Sequence, residues 1–171
     1  MRIAVLSDSH DQIPNLHLAV QKANQAQADI LIHCGDLISP FMLRYLHAFN
    51  GPVHLIYGNN AGDQHLISAR CGKTFTNIQH HGTHGSITVR GWRIAFIHYP
   101  ELARELARSD KYHLVCYGHN HIFHSERLGD CLLVNPGDLL GKDEIPSFAL
   151  VDLEQRLTLR EFVGSKLAIT D

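Results

Sequence analysis

The sequence has no excess of charge of either sign: 15 Lys and Arg stand against 17 Asp and Glu in 171 residues, a formal net charge of −2. Without a basic field, a basic patch or an aromatic platform in the sequence, a nucleic-acid partner is not expected. No apolar stretch approaches the roughly 20 residues of a membrane span, so no membrane partner is expected. Residues 1–6 are too short for a signal peptide and run straight into Ser7-Asp8, which points to a cytoplasmic protein. The four cysteines, Cys34, Cys71, Cys116 and Cys131, form no CxxC pair. Cys34 and Cys116 fall in apolar strand-like runs, so buried reduced thiols are expected. No repeat, linker or low-complexity segment divides the chain. One domain over residues 1–171 is expected, long enough for a sizeable core, and a homo-oligomer is left open.

Histidine is abundant, with 14 residues. His17, His47 and His65 fall on helix-like segments and are expected at the surface. His80, His81 and His84 form a loose cluster that reads as a strand-end surface feature.

The first third of the chain alternates two periods. Residues 3–6 are continuously apolar, as in a strand buried on both faces. After Pro14, the residues Leu16, Ala19, Val20 and Ala23 recur at helical spacing. A second strand covers 30–32. Ser39-Pro40 then reads as an N-cap and first helical residue, with Met42, Tyr45, Leu46 and Phe49 on the apolar face. A third strand covers 53–57. This βαβαβ order predicts parallel strands with right-handed crossovers. The second half reads as short strands at 84–90, 93–97, 114–117, 123–128, 131–134, 148–151 and 157–162, with one helix at 101–108. Two packed sheets with helices on their outer faces are the simplest assembly.

Metal-ligand residue types stand at the ends of five of these runs: Asp8-Ser9-His10, Gly35-Asp36, Gly58-Asn59, His98 and Gly118-His119-Asn120-His121. Alternation puts Asp8 and His10 on one side if the first strand persists. Gly35 and Gly118 permit tight turns beside the ligands. Each motif alone also has a plain structural reading: Asp8 as a helix cap, Asp36 and Asn59 as turn residues, His98 as a lone strand-end histidine. Together, three Asp/Asn oxygens and four imidazoles suit a pair of divalent ions. Manganese is the first expectation, with nickel, iron or zinc as alternatives. Two metals in one site point to phosphate-ester hydrolysis.

In this order the motifs resemble those of the calcineurin-like metallophosphoesterases, and most closely the small single-domain phosphodiesterase branch. Ser7-Asp8-Ser9-His10-Asp11, His33-Cys34-Gly35-Asp36, Tyr57-Gly58-Asn59-Asn60, Tyr117-Gly118-His119-Asn120-His121 and Asn135-Pro136-Gly137 all carry the likeness. The resemblance implies an α/β fold, a four-layer α/β/β/α sandwich of two mixed sheets flanked by helices. It implies one ion on Asp8, His10, Asp36 and His121 and a second on Asp36, Asn59, His98 and His119, with Asp36 bridging. Asp36, Asn59, His98 and His119 are expected to act in catalysis as well.

The sequence departs from the family pattern in three places. Tyr99-Pro100 follows His98 where relatives usually carry Gly. Asn60 stands where larger phosphatases place a His, and Asn cannot deliver a proton at neutral pH. Ala61 replaces an acidic residue common in close relatives, with Asp63 nearby. The expected activity is hydrolysis of a small phosphoester, most readily a diester with a good leaving group, by a water activated between two ions. The alternative is a non-catalytic scaffold of the same fold that binds other proteins. A scaffold can lose ligands without penalty, whereas all seven positions here hold ligand-competent residues.

Overall fold

The computed structural model describes residues 1–164, so residues 165–171 of the expected domain lie outside the described residues. The chain runs β1 (Arg2–Leu6), α1 (Ile13–Gln25), β2 (Ile30–His33), a 3-10 turn (Pro40–Met42) leading into α2 (Leu43–Leu46), β3 (Val53–Leu55), α3 (Gln64–Arg70) and β4 (Ile78–His80). It continues through β5 (His84–Val89), β6 (Trp92–Ile97), α4 (Pro100–Ala107), β7 (Leu114–Cys116), β8 (Phe123–Leu128), β9 (Cys131–Pro136), β10 (Ser147–Asp152) and β11 (Leu157–Phe162). One sheet has the order β11-β10-β1-β2-β3-β4, the other β5-β6-β7-β9-β8. β1 to β4 are parallel, with β10 and β11 antiparallel at one side. β6, β7 and β9 are parallel, with β5 and β8 antiparallel at the edges. Both sheets are therefore mixed.

Three apolar layers explain the stacking. Ile3, Val5, Ile30 and Ile32 of the first sheet meet Ile94, Phe96, Leu114 and Val134 of the second. Ala4, Leu6, Leu31 and Leu55 point the other way, onto Leu16, Ala19, Val20 and Ala23 of α1. Ala95, Val115 and Leu133 cover Ala103 and Ala107 of α4. The continuous apolar runs of β1 and β2 arise because both faces of these strands are buried. The result is the expected α/β/β/α sandwich. Each large side chain fully buried in it contributes about 1.5–3 kcal/mol.

Two elements were not foreseen. α3 has seven residues and buries only Ile67. Its start was nevertheless signalled by Asp63, whose Oδ1 accepts the Leu66 N–H at 2.8 Å as an N-cap. β4 has three residues and buries only Ile78, too little for a period to show. Ser39 makes no side-chain cap on the second helix; its N–H donates to Asp11 Oδ1 at 2.9 Å and its hydroxyl donates to Asp11 Oδ2.

His17, His47 and His65 are exposed, as expected. The surface reading of His80 and His81 is corrected. The ring of His80 lies 3.9 Å from that of Tyr57, and His81 packs edge-on against Phe96 at 5.0 Å. His81 Nε2 stands 2.9 Å from His54 Nδ1. Burial pushes His54 and His80 down to about 4, so both are neutral imidazoles at pH 7. Only His84 of the cluster is exposed. Cys34, Cys116 and Cys131 are buried free thiols, although Cys34 lies one residue beyond its strand.

Candidate metal centre

Parallel register brings the ends of β1, β2 and β3 level: Leu6 pairs with His33, and His33 with Leu55. The loops that leave these ends are stitched together. Asp8 N–H donates to Gly35 O at 3.0 Å, and His10 N–H to Asp36 O at 3.0 Å. In the second sheet, Gly118 N–H donates to His98 O at 3.1 Å. All seven expected residues thus gather on one rim.

The local reason differs from the expected alternation. β1 stops at Leu6, and Asp8 and His10 both have left-handed backbones, with φ 51° and 40°. Asp36, His119 and His121 do too, at 56°, 74° and 62°. Side chains are aimed by these turns, a conformation that costs non-glycine residues free energy. The glycines serve close approach. A Cβ on Gly118 would stand 2.0 Å from Ser7 Oγ and 2.5 Å from Asp8 Oδ2.

Two groups of donor atoms result. In the first, His121 Nε2 lies 3.4 Å from Asp8 Oδ1, and His10 Nε2 lies 3.5 Å from Asp36 Oδ2 and 3.9 Å from Asp8 Oδ1. In the second, Asn59 Oδ1 lies 2.8 Å from both His98 Nε2 and His119 Nδ1, with Asp36 Oδ1 at 3.7 Å from His98 Nε2. Asp36 presents one oxygen to each group. Asp8, His10 and His121 place ligand atoms within 4.8 Å of one another, as do Asp8, Asp36 and His98.

These atoms fit a cation. His98 Nδ1–H donates to the Cys34 carbonyl at 2.8 Å. A carbonyl only accepts, so Nδ1 carries a proton and Nε2 is the ring atom left to face the oxygens of Asn59 and Asp36. His121 Nδ1–H donates to Asp138 Oδ2 at 2.7 Å, which turns its Nε2 toward Asp8. Asp8 Oδ1 and His10 Nε2 are buried atoms with no hydrogen-bond partner. Electron pairs facing each other across a buried gap repel unless a positive charge lies between them. A proton competes for the same place: bonds to Asp138 and then Asp8 raise His121 to about 10, and a cation would have to displace that proton from Nε2. Burial raises the Asp8 carboxyl most, but the bonds from His121 and Ser7 and the charges of His98 and His121 together outweigh it and leave Asp8 below its ordinary value.

A description of the calcineurin-like phosphoesterase superfamily domain matches residues 1–156. The chain belongs to this superfamily. It is a hydrolase, a metal-dependent phosphoesterase. A phosphodiesterase of Methanocaldococcus jannaschii is 27% identical over 170 residues, covering 91% of this chain and 95% of that protein. A Bacillus subtilis protein described as a metallophosphoesterase is 29% identical over 144 residues, covering 81% of this chain and 75% of its own length. A solved archaeal phosphodiesterase superposes with a TM-score of 0.88 at 26% identity, over 95% of this chain and 100% of that one. Vps29 of Entamoeba histolytica, solved with zinc, shares the fold: TM-score 0.68, 18% identity, 95% and 98% covered.

Within this calcineurin-like frame, three polar residues have roles that sequence reasoning missed or misread. Asn60 is engaged by the central carboxylate. Its N–H and side-chain amide donate to Asp36 Oδ1 and Oδ2 at 2.7 and 2.8 Å, clamping that carboxylate from outside. Asp63 caps α3 and is unavailable to compensate for Ala61. Asp138 was not singled out at all, although it directly follows the quoted Asn135-Pro136-Gly137. Its burial, at 2% exposed, shows only in the fold; the sequence offered no more than an acid directly after that motif.

Proposed function

We propose that the chain is a phosphodiesterase with two divalent ions, one on Asp8, His10, Asp36 and His121, the other on Asp36, Asn59, His98 and His119. The observation that carries this reading is the pair of lone-pair clusters sharing Asp36. Ions held there would supply an activated water and offset charge on the phosphoryl oxygens. Imidazole and carboxylate together suit manganese, nickel, iron or zinc.

The chain's own residues prepare the site. Asn60 holds both Asp36 oxygens in fixed directions. The Cys34 carbonyl and the Asp138 carboxylate fix the tautomers of His98 and His121 so that each presents a lone pair to the cleft. Of the residues that the sequence offered as an acid for the departing oxygen, Asn60 has its amide engaged by Asp36 and Asp63 caps α3. Esters with good leaving groups, and diesters over monoesters, are therefore the favoured small-molecule substrates. The name of the Methanocaldococcus jannaschii relative supports the same activity. A purely scaffolding role gives no reason for seven intact donors with oriented histidines.

The test is a panel of aryl and alkyl mono- and diesters offered to stripped protein resupplied with manganese, nickel, zinc or magnesium. Aryl diesters should turn over fastest with one of the first three. No metal-dependent hydrolysis of any ester would overturn the reading.

Asp138→Asn should weaken metal binding about 10–100-fold, the usual effect of removing a histidine's carboxylate partner. The isosteric amide can still accept the Gly141 N–H that Asp138 Oδ1 accepts at 3.2 Å, so the fold should survive. A chelator-competition titration with manganese checks this, and unchanged affinity would show that Asp138 does not position His121.

A further inference from the structure

Tyr99 has no role in the reading so far, yet it stands at the centre. It is the N-cap of α4, with Pro100 locking the first helical position and its carbonyl accepting the Ala103 N–H at 3.1 Å. Its backbone is therefore held on both sides. The ring meets His98 and His119 edge-on, with centroids 5.3 and 5.0 Å away at 76° and 61°. These are favourable aromatic geometries, and both partners belong to the second donor group. Even so, the residue remains 41% exposed. Its hydroxyl has no hydrogen-bond partner among the described residues. Ile122, next to His121, and Leu102, on the first turn after Tyr99, are each 55% exposed. Exposed apolar residues thus directly follow both His121 and Pro100-Glu101 in the chain.

We propose that Tyr99 is a specificity-determining platform on which the base of a small nucleoside phosphodiester stacks while its phosphate lies at the metal centre. The inference rests on the phosphodiesterase reading above. Base-on-aromatic stacking needs one free ring face and tolerates any base. The edge-on histidines hold the ring beside the second donor group, and two-fifths of the residue's surface is left for a base to cover. A polymeric substrate is disfavoured, because a net charge of −2 supplies no basic track for further phosphates.

Two substrates with the same leaving group isolate the effect: thymidine 5′-(4-nitrophenyl) phosphate and ethyl 4-nitrophenyl phosphate. Metal-loaded wild type should show a KM about tenfold lower for the thymidine ester, within what stacking supplies. Tyr99→Ala should erase that advantage at unchanged metal content, and Tyr99→Phe should keep it. In parallel, thymidine 5′-monophosphate is titrated against all three proteins and followed by fluorescence and NMR. An equal KM ratio in wild type and Tyr99→Ala would overturn the platform. So would Tyr99→Phe behaving like Tyr99→Ala, because the hydroxyl would then be the working group. If neither ester is cleaved but monophosphate binding still depends on the ring, the phosphodiesterase reading falls and the platform stands.

Discussion

Asp36→Asn should strip the protein of most of its metal and reduce diester hydrolysis by more than about 100-fold, beyond the range that a change behind the ligands produces. Asp36 is 2% exposed, and its two oxygens face different donor groups, Oδ2 toward His10 and Oδ1 toward His98. The amide puts an N–H₂ where one group needs a lone pair. It also sets that N–H₂ against an Asn60 donor, since the native carboxylate accepts from Asn60 twice. Both proposed ions should therefore be lost together. Elemental analysis after dialysis and an aryl-diester assay read the two consequences separately. Two retained ions with full turnover would remove Asp36 from the bridging position.

Gly58→Ala should have nearly the same effect while altering no ligand. A Cβ at Gly58 would stand 2.0 Å from Asp36 Oδ1, 2.7 Å from Asp36 N and 2.8 Å from Asp36 Cγ. Real Cβ contacts essentially never fall below 3.0 Å, so the Asp36 loop must shift. Because Asn60 donates to both carboxylate oxygens, they cannot swing away without losing those bonds. Overpacking of this kind costs about 1–3 kcal/mol. The three apolar layers are untouched, so the variant should fold with a lowered melting temperature and bind little metal. Circular dichroism and metal analysis on one sample test both halves. Native metal content in a folded Gly58→Ala protein would mean that the approach of Gly58 to Asp36 is not what shapes the site.

The seven candidate ligands were legible in the sequence because chemistry and position coincided: each stands just past an apolar run, and parallel strands send such ends to one rim. The reason first given for pairing Asp8 with His10 was wrong, because β1 ends early and left-handed turns take over. Backbone handedness at Asp and His leaves no trace in hydrophobic periodicity. The layered fold was legible for a simpler reason: Leu16, Ala19, Val20 and Ala23 repeat at helical spacing, and all four are buried. α3 and β4 escaped notice because each buries a single apolar residue. Asn60 and Asp138 were misjudged or passed over because their partners, Asp36 and His121, lie 24 and 17 residues away in sequence.

The left-handed backbones at Asp8, His10, Asp36, His119 and His121 have a bearing on how this chain can change over generations. Each holds a side chain in a conformation that glycine would adopt with less strain, at roughly 1–2 kcal/mol per residue. Selection for stability alone would push these positions toward glycine, and the proposed metal chemistry would hold them where they are. A lineage released from catalysis would lose its ligands by drifting downhill in free energy, and its sandwich would become sturdier as it did so. Ligand-competent residues at all five left-handed positions are what the proposed metal chemistry would require.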